Sequence, residues 1–239
     1  MDRSGFEGGR RSEAVRVWML GGFWVSVGSR TITQDAWRLR KAAALVKLLA
    51  LAPGHRLHRE QGIDILWPNS SRRAASNSLR KTLHTTRRIL DPDAGSRCLA
   101  SEGESLVLCP AGDLWVDVEA FEEAAATARR AREPAAYRAA IELYPGDLLP
   151  EDRYEEWVER RREELRQLYL SLLTELGGLY EELHEHELAV GVLRQAGRSL
   201  PASCETQRGY GAASSVWWRR SGRLPRGIRN ARRGSGPSG

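Results

Sequence analysis

A basic helix between residues 72 and 90 constrains the fold of this chain more than any other segment. Its sequence, RRAASNSLRKTLHTTRRIL, follows a Trp-Pro-Asn-Ser-Ser stop signal and contains no acidic residue. Apolar or small residues recur every three or four positions, as a helix face packed on a core requires. These residues are Ala75, Leu79, Thr82, Leu83, Thr86, Ile89 and Leu90. Because an ordinary solvated helix mixes both charge signs, the opposite face of only positive charge predicts an anionic partner.

The segments on either side of the basic helix predict a winged helix. Strand-like runs precede it, two helical segments follow them, and a Gly-centred hairpin comes after it. In chain order the predicted segments are 15–20, 23–27, 31–32, 37–52, 58–67, 72–90 and 98–108. A small antiparallel sheet, three helices and a C-terminal hairpin wing form an α+β fold. In that fold the third helix enters the major groove of double-stranded DNA.

From residue 116 onward the pattern becomes purely helical. Amphipathic segments joined by tight turns predict an all-α, tetratricopeptide-like helical domain. The predicted helices are 118–132, 134–143, 151–183 and 187–196.

The charge distribution divides the chain into blocks. Residues 1–110 hold 18 Lys and Arg against 10 Asp and Glu, residues 111–196 hold 10 against 20, and residues 197–239 hold 9 against 1. A basic block before an acidic one is typical of a nucleic-acid-binding domain joined to a protein-binding domain, although surface charge can also simply vary between domains. We expect a disordered N-terminus over 1–13, a winged-helix DNA-binding domain over 14–110, a helical domain over 111–196 and an irregular basic tail over 197–239.

Composition and motifs argue against several other classes of protein. No apolar run approaches the ~20 residues of a membrane span, and the N-terminus lacks the apolar region of a signal peptide. Three cysteines without metal-ligand spacing indicate a reducing compartment, so we expect a cytoplasmic, nucleoid-associated protein. No phosphate-binding loop and no catalytic triad are present. The sequence therefore predicts no enzyme, no cofactor and no metal site.

The exposed face of the basic helix supplies the candidate DNA contacts. Arg and Lys can read guanine, and Asn can read adenine, in the major groove. The predicted base-reading residues are Asn77, Arg80, Lys81, His84, Thr85 and Arg88. The predicted phosphate contacts are Arg72, Arg73, Arg87, Arg97, Arg38 and Arg40. A solvated basic face without a ligand is the alternative interpretation.

Six tryptophans lie on predicted apolar faces, and we expect them in the core rather than in a ligand site. They are Trp18, Trp24, Trp37, Trp67, Trp115 and Trp157.

One segment of the helical half resembles a known family. The run LYPGDLLP at 143–150, followed by Tyr154, Glu156-Trp157 and Arg161-Arg162, is similar to the bacterial transcriptional activator domain. That domain occurs in the antibiotic-regulatory transcriptional activators of actinobacteria, the SARP family. The basic helix is similar to OmpR-type response-regulator winged helices, through Ser78-Leu79-Arg80 with Arg87-Arg88 and Leu90.

This resemblance implies a sequence-specific activator that binds direct repeats in a promoter. A homodimer is one way in which two copies would occupy such repeats. The resemblance also implies recruitment of RNA polymerase within a secondary-metabolite (antibiotic) gene cluster. The alternative is a helical-repeat protein-binding scaffold with non-specific nucleic-acid affinity.

The sequence departs from the family in three places. Thr86 stands where the family usually has Leu, and Gly177-Gly178 interrupts the long helix, which we therefore expect not to be straight. After residue 196 the helical period ends where the family continues with further repeats. Two hypotheses explain this tail: a reading-frame shift near residues 197–209, which leaves the helical domain incomplete, and a natural basic tail that adds non-specific DNA affinity.

Overall fold

A computed structural model describes residues 14–92, 98–110 and 113–199. The predicted disordered N-terminus, the predicted phosphate contact Arg97 and the tail from residue 200 lie outside the described residues. Within the described ranges the fold class is confirmed, because a small sheet with three helices and a hairpin precedes an all-helical part.

The N-terminal sheet has four strands: β1 (Val15–Trp18), β2 (Trp24–Val27), β3 (Arg30–Ile32) and a later strand, Leu114–Val116. The first three form the predicted antiparallel meander. The later strand pairs in parallel with β1 and was not predicted from the sequence. Alternate residues of β1 and β2 point into the core, as the period of two in a strand requires.

The three helices of the N-terminal part are α1 (Arg40–Leu51), α2 (Arg59–Leu66) and α3 (Arg72–Leu90). The prediction that α1 begins at Trp37 was wrong. Trp37 precedes the helix and packs against Phe23, with ring centroids 5.7 Å apart. Helix α2 begins one residue later than predicted because His58 caps its first turn.

The predicted hairpin wing has a third strand. Strand β4 (Arg56–His58), which precedes α2, pairs with β6 (Ser105–Leu108), and β6 pairs with β5 (Leu99–Glu102). Gly103 turns the hairpin with a positive φ of 59°, a conformation that costs glycine little. We name the strand Leu114–Val116 β7. Because β4 leads directly into α2, the wing is attached to the helices at both ends.

The helical part contains α4 (Asp117–Ala131), α5 (Pro134–Glu142), α6 (Glu156–Glu182) and α7 (His186–Ser199). Helix α6 starts five residues later than the predicted position 151, because residues 147–155 form a loop held by the buried side chain of Arg162. Its guanidinium donates to the carbonyl oxygens of Leu148 (2.8 Å), Leu149 (3.1 Å) and Asp152 (3.1 Å). Helix α6 runs without a break through Gly177 and Gly178.

Backbone and side-chain contacts join the N-terminal sheet to the helical part. The buried carboxylate of Asp117 accepts hydrogen bonds at 2.7 Å from the backbone N–H groups of Met19 and Leu20. Burial raises the pKa of Asp117, and these hydrogen bonds oppose the rise. Leu20 also forms an isolated β-bridge with Leu148. The ammonium of Lys47 in α1 lies 2.5 Å from the carboxylate of Asp152 and is buried.

The prediction that the six tryptophans lie in the core is confirmed for Trp37, which is buried, and Trp67 and Trp157 are partly buried against the same core. It was wrong for the other three. Trp18 stacks on Trp24 with ring centroids 5.7 Å apart, and Trp115 lies 5.4 Å from Trp18. These three rings occupy the outward face of the N-terminal sheet, where Trp115 is 36% exposed. The inward face of the same strands is filled by valines.

Candidate nucleic-acid interface

Helix α3 forms with the bounds that the sequence predicts. The hydroxyl of Ser71 caps it by accepting a hydrogen bond from the backbone of Ala74 at 3.4 Å. One face of the helix is buried in the core, as its period requires. The buried residues are Ala75, Leu79, Thr82, Leu83, Thr86 and Leu90. Thr86 is tolerated because its hydroxyl donates to the carbonyl of Thr82 at 2.9 Å, so no polar group is left unpaired at this residue.

The opposite side of α3 carries what we call the exposed basic face. All of its members are exposed to solvent. They are Arg73, Asn77, Arg80, Lys81, His84 and Arg88. Their spacing of three or four residues places them along one side of the helix. None of them forms an ion pair or a side-chain hydrogen bond within the described residues.

The other predicted residues of α3 lie elsewhere. The guanidinium of Arg72 is bound to Glu60 of α2 at 2.6 Å. Arg87 points to the wing, where its guanidinium donates to the carbonyl of Leu99 and the hydroxyl of Ser101, both at 2.9 Å. Thr85 is half-buried at the margin of the helix. The structure therefore separates these three side chains from the exposed basic face.

Two further predicted phosphate contacts lie at the start of α1. Arg38 precedes α1 and Arg40 opens it, and both side chains are exposed. Neither forms an ion pair with another described residue. They remain available to an anionic ligand.

The tip of the wing is less suited to phosphate than the helix. Glu102 and Glu104 flank its turn, and Glu102 is paired with Arg56 of β4 at 2.6 Å. This pair neutralises one charge at the tip, while Glu104 keeps the local charge negative. A close approach of the tip to a phosphate group would be repulsive.

Sequence reasoning missed Arg30, which contacts the end of α3. Its guanidinium donates to the carbonyl oxygens of Ile89 (2.8 Å) and Leu90 (2.6 Å). These residues are 59 and 60 positions away from Arg30. No local pattern could indicate the contact, because only the fold brings the β2–β3 turn to the helix end.

Groups that would indicate other kinds of site are missing from the described ranges. No cluster of three or more His, Cys, Asp or Glu side chains there could hold a metal ion. None of the described helices has both the length and the apolar character needed to cross a membrane.

Comparison with known proteins identifies the helical part. Residues 116–209 match the family described as the Bacterial transcriptional activator domain. No curated protein matches the sequence. Among solved structures, the chain is similar to Mycobacterium tuberculosis EmbR, solved in complex with a low affinity phosphopeptide, with a TM-score of 0.52 and 15% identity. The similarity covers 89% of this chain and 72% of that chain.

The two findings agree with the geometry. The family match begins at Val116, directly before α4, and the structural similarity covers far more of the chain than that match. At 15% identity the second finding concerns the fold alone. The comparisons therefore show a Bacterial transcriptional activator domain over residues 116–209 and a fold shared with EmbR over most of the chain.

Proposed function

We propose that this protein is a sequence-specific DNA-binding activator that inserts α3 into the major groove of promoter DNA. The observation that carries the proposal is the exposed basic face, whose cations have no anionic partner among the described residues. An α-helix fits the major groove of B-DNA, where Arg, Lys and Asn can read base edges. Unpaired cations on one side of such a helix favour a polyanion over a protein ligand.

Within this face we assign base reading to Asn77, Arg80, Lys81, His84 and Arg88, with Thr85 at the margin. We assign phosphate contacts to Arg73, Arg38 and Arg40, which are exposed and have no partner that would compete. Arg72 and Arg87 were also predicted to contact phosphate. To do so, Arg72 would have to leave or share Glu60, and Arg87 would have to leave or share the carbonyl oxygen of Leu99.

We further propose that the chain divides its work between a DNA-binding domain over 14–110 and an activator domain over 111–196. The change of net charge between the two ranges supports this division. The acidic helical part would contact RNA polymerase, and two copies would occupy direct repeats as a homodimer. A cytoplasmic, nucleoid-associated location and control of a secondary-metabolite gene cluster belong to the same proposal.

A specificity ratio tests the proposal. The full chain is titrated against DNA from upstream of its own gene and against mixed-sequence DNA of equal length at one salt concentration. Specific binding predicts a preference of about 10³-fold or more, as is typical of specific regulators. A ratio near one would contradict the proposal and favour a helical scaffold with non-specific nucleic-acid affinity.

A further inference from the structure

Two guanidinium groups hold the last turn of α3 from different sides. Arg30 reaches the helix from the N-terminal sheet and donates to the carbonyl oxygens of Ile89 and Leu90. Arg87, on the helix itself, reaches the wing and donates to Leu99 and Ser101. The last turn of the helix is thereby tied to both sheets of the N-terminal part.

Local sequence explains how Arg30 reaches this position. Strands β2 and β3 are joined by the two-residue turn Gly28-Ser29, in which Gly28 has a positive φ of 57°. Two-residue hairpin turns need such a residue, and glycine adopts it at low cost. The turn places Arg30 at the first position of β3, beside the end of α3.

The chemistry of the helix end suits a guanidinium. The last four carbonyl oxygens of an α-helix have no partner inside the helix, and the helix dipole places partial negative charge there. A planar guanidinium can donate to two such oxygens at once, which a lysine ammonium does less well. Because Ile89 and Leu90 provide both acceptors, the contact restrains the direction of the helix as well as its end.

We propose that Arg30 and Arg87 are positioning residues that set the angle of α3 against the sheets and thereby its sequence specificity, without contacting bases themselves. This inference rests on the proposed DNA-binding function. A helix that reads base edges must be held within fractions of an ångström of one orientation, whereas phosphate contacts tolerate more variation. Loss of either residue should therefore reduce specific binding more than non-specific binding.

The test compares Arg30→Met, Arg87→Met and the matched control Arg16→Met in the full chain. Arg16 lies on β1 of the same sheet as Arg30, is exposed and forms no ion pair with a described residue. Each variant is titrated with the upstream DNA and with mixed-sequence DNA at several salt concentrations. We expect affinity for the upstream DNA to fall roughly tenfold in the first two variants and to stay within about twofold of the parent in the control.

The salt dependence separates positioning from direct contact. A residue that binds phosphate lowers the slope of log affinity against log salt by about one when it is removed. We expect an unchanged slope and unchanged affinity for mixed-sequence DNA in Arg30→Met and Arg87→Met. A shallower slope, or an equal loss on both DNAs, would overturn the inference, as would an unchanged affinity for the upstream DNA.

A conservative variant guards against a trivial folding defect. Arg30→Lys keeps the charge and one donor, so it should recover part of the specific affinity lost in Arg30→Met, with a loss of roughly threefold against the parent. If Arg30→Lys binds the upstream DNA as tightly as the parent, the two-acceptor geometry is not needed and the inference fails. If the parent itself shows no preference for the upstream DNA, the proposed function fails instead, which this design distinguishes.

Discussion

Arginine has opposite surroundings in α3 and in α6. Arg73, Arg80 and Arg88 of α3 are exposed and form no ion pair with a described residue. Every arginine in α6 has an acidic partner. The pairs are Arg160–Glu164, Arg161–Glu122, Arg162–Glu159 and Arg166–Asp147. The two helices have similar numbers of arginines, but their partners differ. The unpaired arginines of α3 are free to bind an anion, whereas the paired arginines of α6 stabilise the fold.

The difference originates in the spacing of acidic residues. Helix α6 has glutamates three or four positions from its arginines, and such pairs stabilise a helix. Helix α3 has no acidic residue at all. Removing an arginine from α3 should therefore change the affinity for DNA, whereas removing one from α6 should change the stability of the fold.

The largest effect is expected for Arg162, whose side chain is 7% exposed. Arg162→Met leaves three loop carbonyl oxygens without their donor and should lower the free energy of unfolding by about 3 kcal/mol. Arg160→Met, two residues earlier, removes a 91% exposed side chain and should cost less than about 0.5 kcal/mol. Urea denaturation measures both values, and equal losses would contradict the distinction between buried and exposed pairs.

On the DNA side, Lys81→Ala should weaken binding to the upstream DNA by about 1–3 kcal/mol and relax the preference at one base position. Arg73→Ala should weaken binding to all sequences alike, because a phosphate contact carries no base information. Both variants should unfold like the parent. Competition binding with single-base substitutions measures the effect, and two variants that both bind like the parent would remove α3 from the interface.

A smaller contrast separates the two glycines of α6. A Cβ atom on Gly178 would meet nothing within 4 Å, so Gly178→Ala should raise the free energy of unfolding by up to about 1 kcal/mol through helix propensity. A Cβ atom on Gly177 would lie 3.1 Å from the side chain of Leu193 in α7. Thermal unfolding should therefore show a smaller gain, or a loss, for Gly177→Ala. The reverse order would contradict the close packing of α6 on α7.

The smallest expected effect is on the stability of the fold at acidic pH. Burial alone would raise the pKa of Asp147, but the Arg166 guanidinium and the Tyr144 hydroxyl hold it below its ordinary value. A carboxylate with a lowered pKa stabilises the fold above its unfolded-state pKa of about 4 and loses that stabilisation as the pH falls through its folded pKa. Asp147→Asn should flatten the fall of stability below about pH 4, measured by urea denaturation at several pH values.

Asp117 should affect the pH dependence of stability in the opposite direction. Its pKa is raised by burial, so its contribution to stability falls as the pH rises from its unfolded-state value through its folded value. Asp117→Asn should remove this fall. Identical pH profiles for the two variants would contradict the assignment of opposite shifts.

The sequence predicts α3 residue by residue because its signals are local. The buried stripe, the Ser71 cap and the preceding Pro68 all lie within a few residues of the helix. The short strands β4 and β7 escape prediction because each has three residues and is stabilised by a strand far away in the chain. Strand β3 is equally short, but it is predicted because the Gly28-Ser29 turn joins it directly to β2.

Other features depend on contacts that only the fold creates. The late start of α6 follows from Arg162, which binds carbonyl oxygens 10 to 14 positions earlier. The outward position of Trp18 and Trp24 was not predicted, because the sequence of a strand does not say which face of the sheet is covered. The exposed basic face was predictable because charge and period coincide in one helix, whereas Arg30 was not.

Equilibrium binding of two charge-matched variants to the upstream DNA decides whether α3 is the surface that binds DNA. One variant changes Arg73, Arg80, Lys81 and Arg88 of the exposed basic face to Ala. The other changes four exposed arginines of the helical part to Ala, namely Arg130, Arg138, Arg153 and Arg160. We expect more than about a hundredfold loss for the first variant and less than about threefold for the second. Equal losses, or parental affinity in the first variant, would show that net charge or another surface, and not α3, binds DNA.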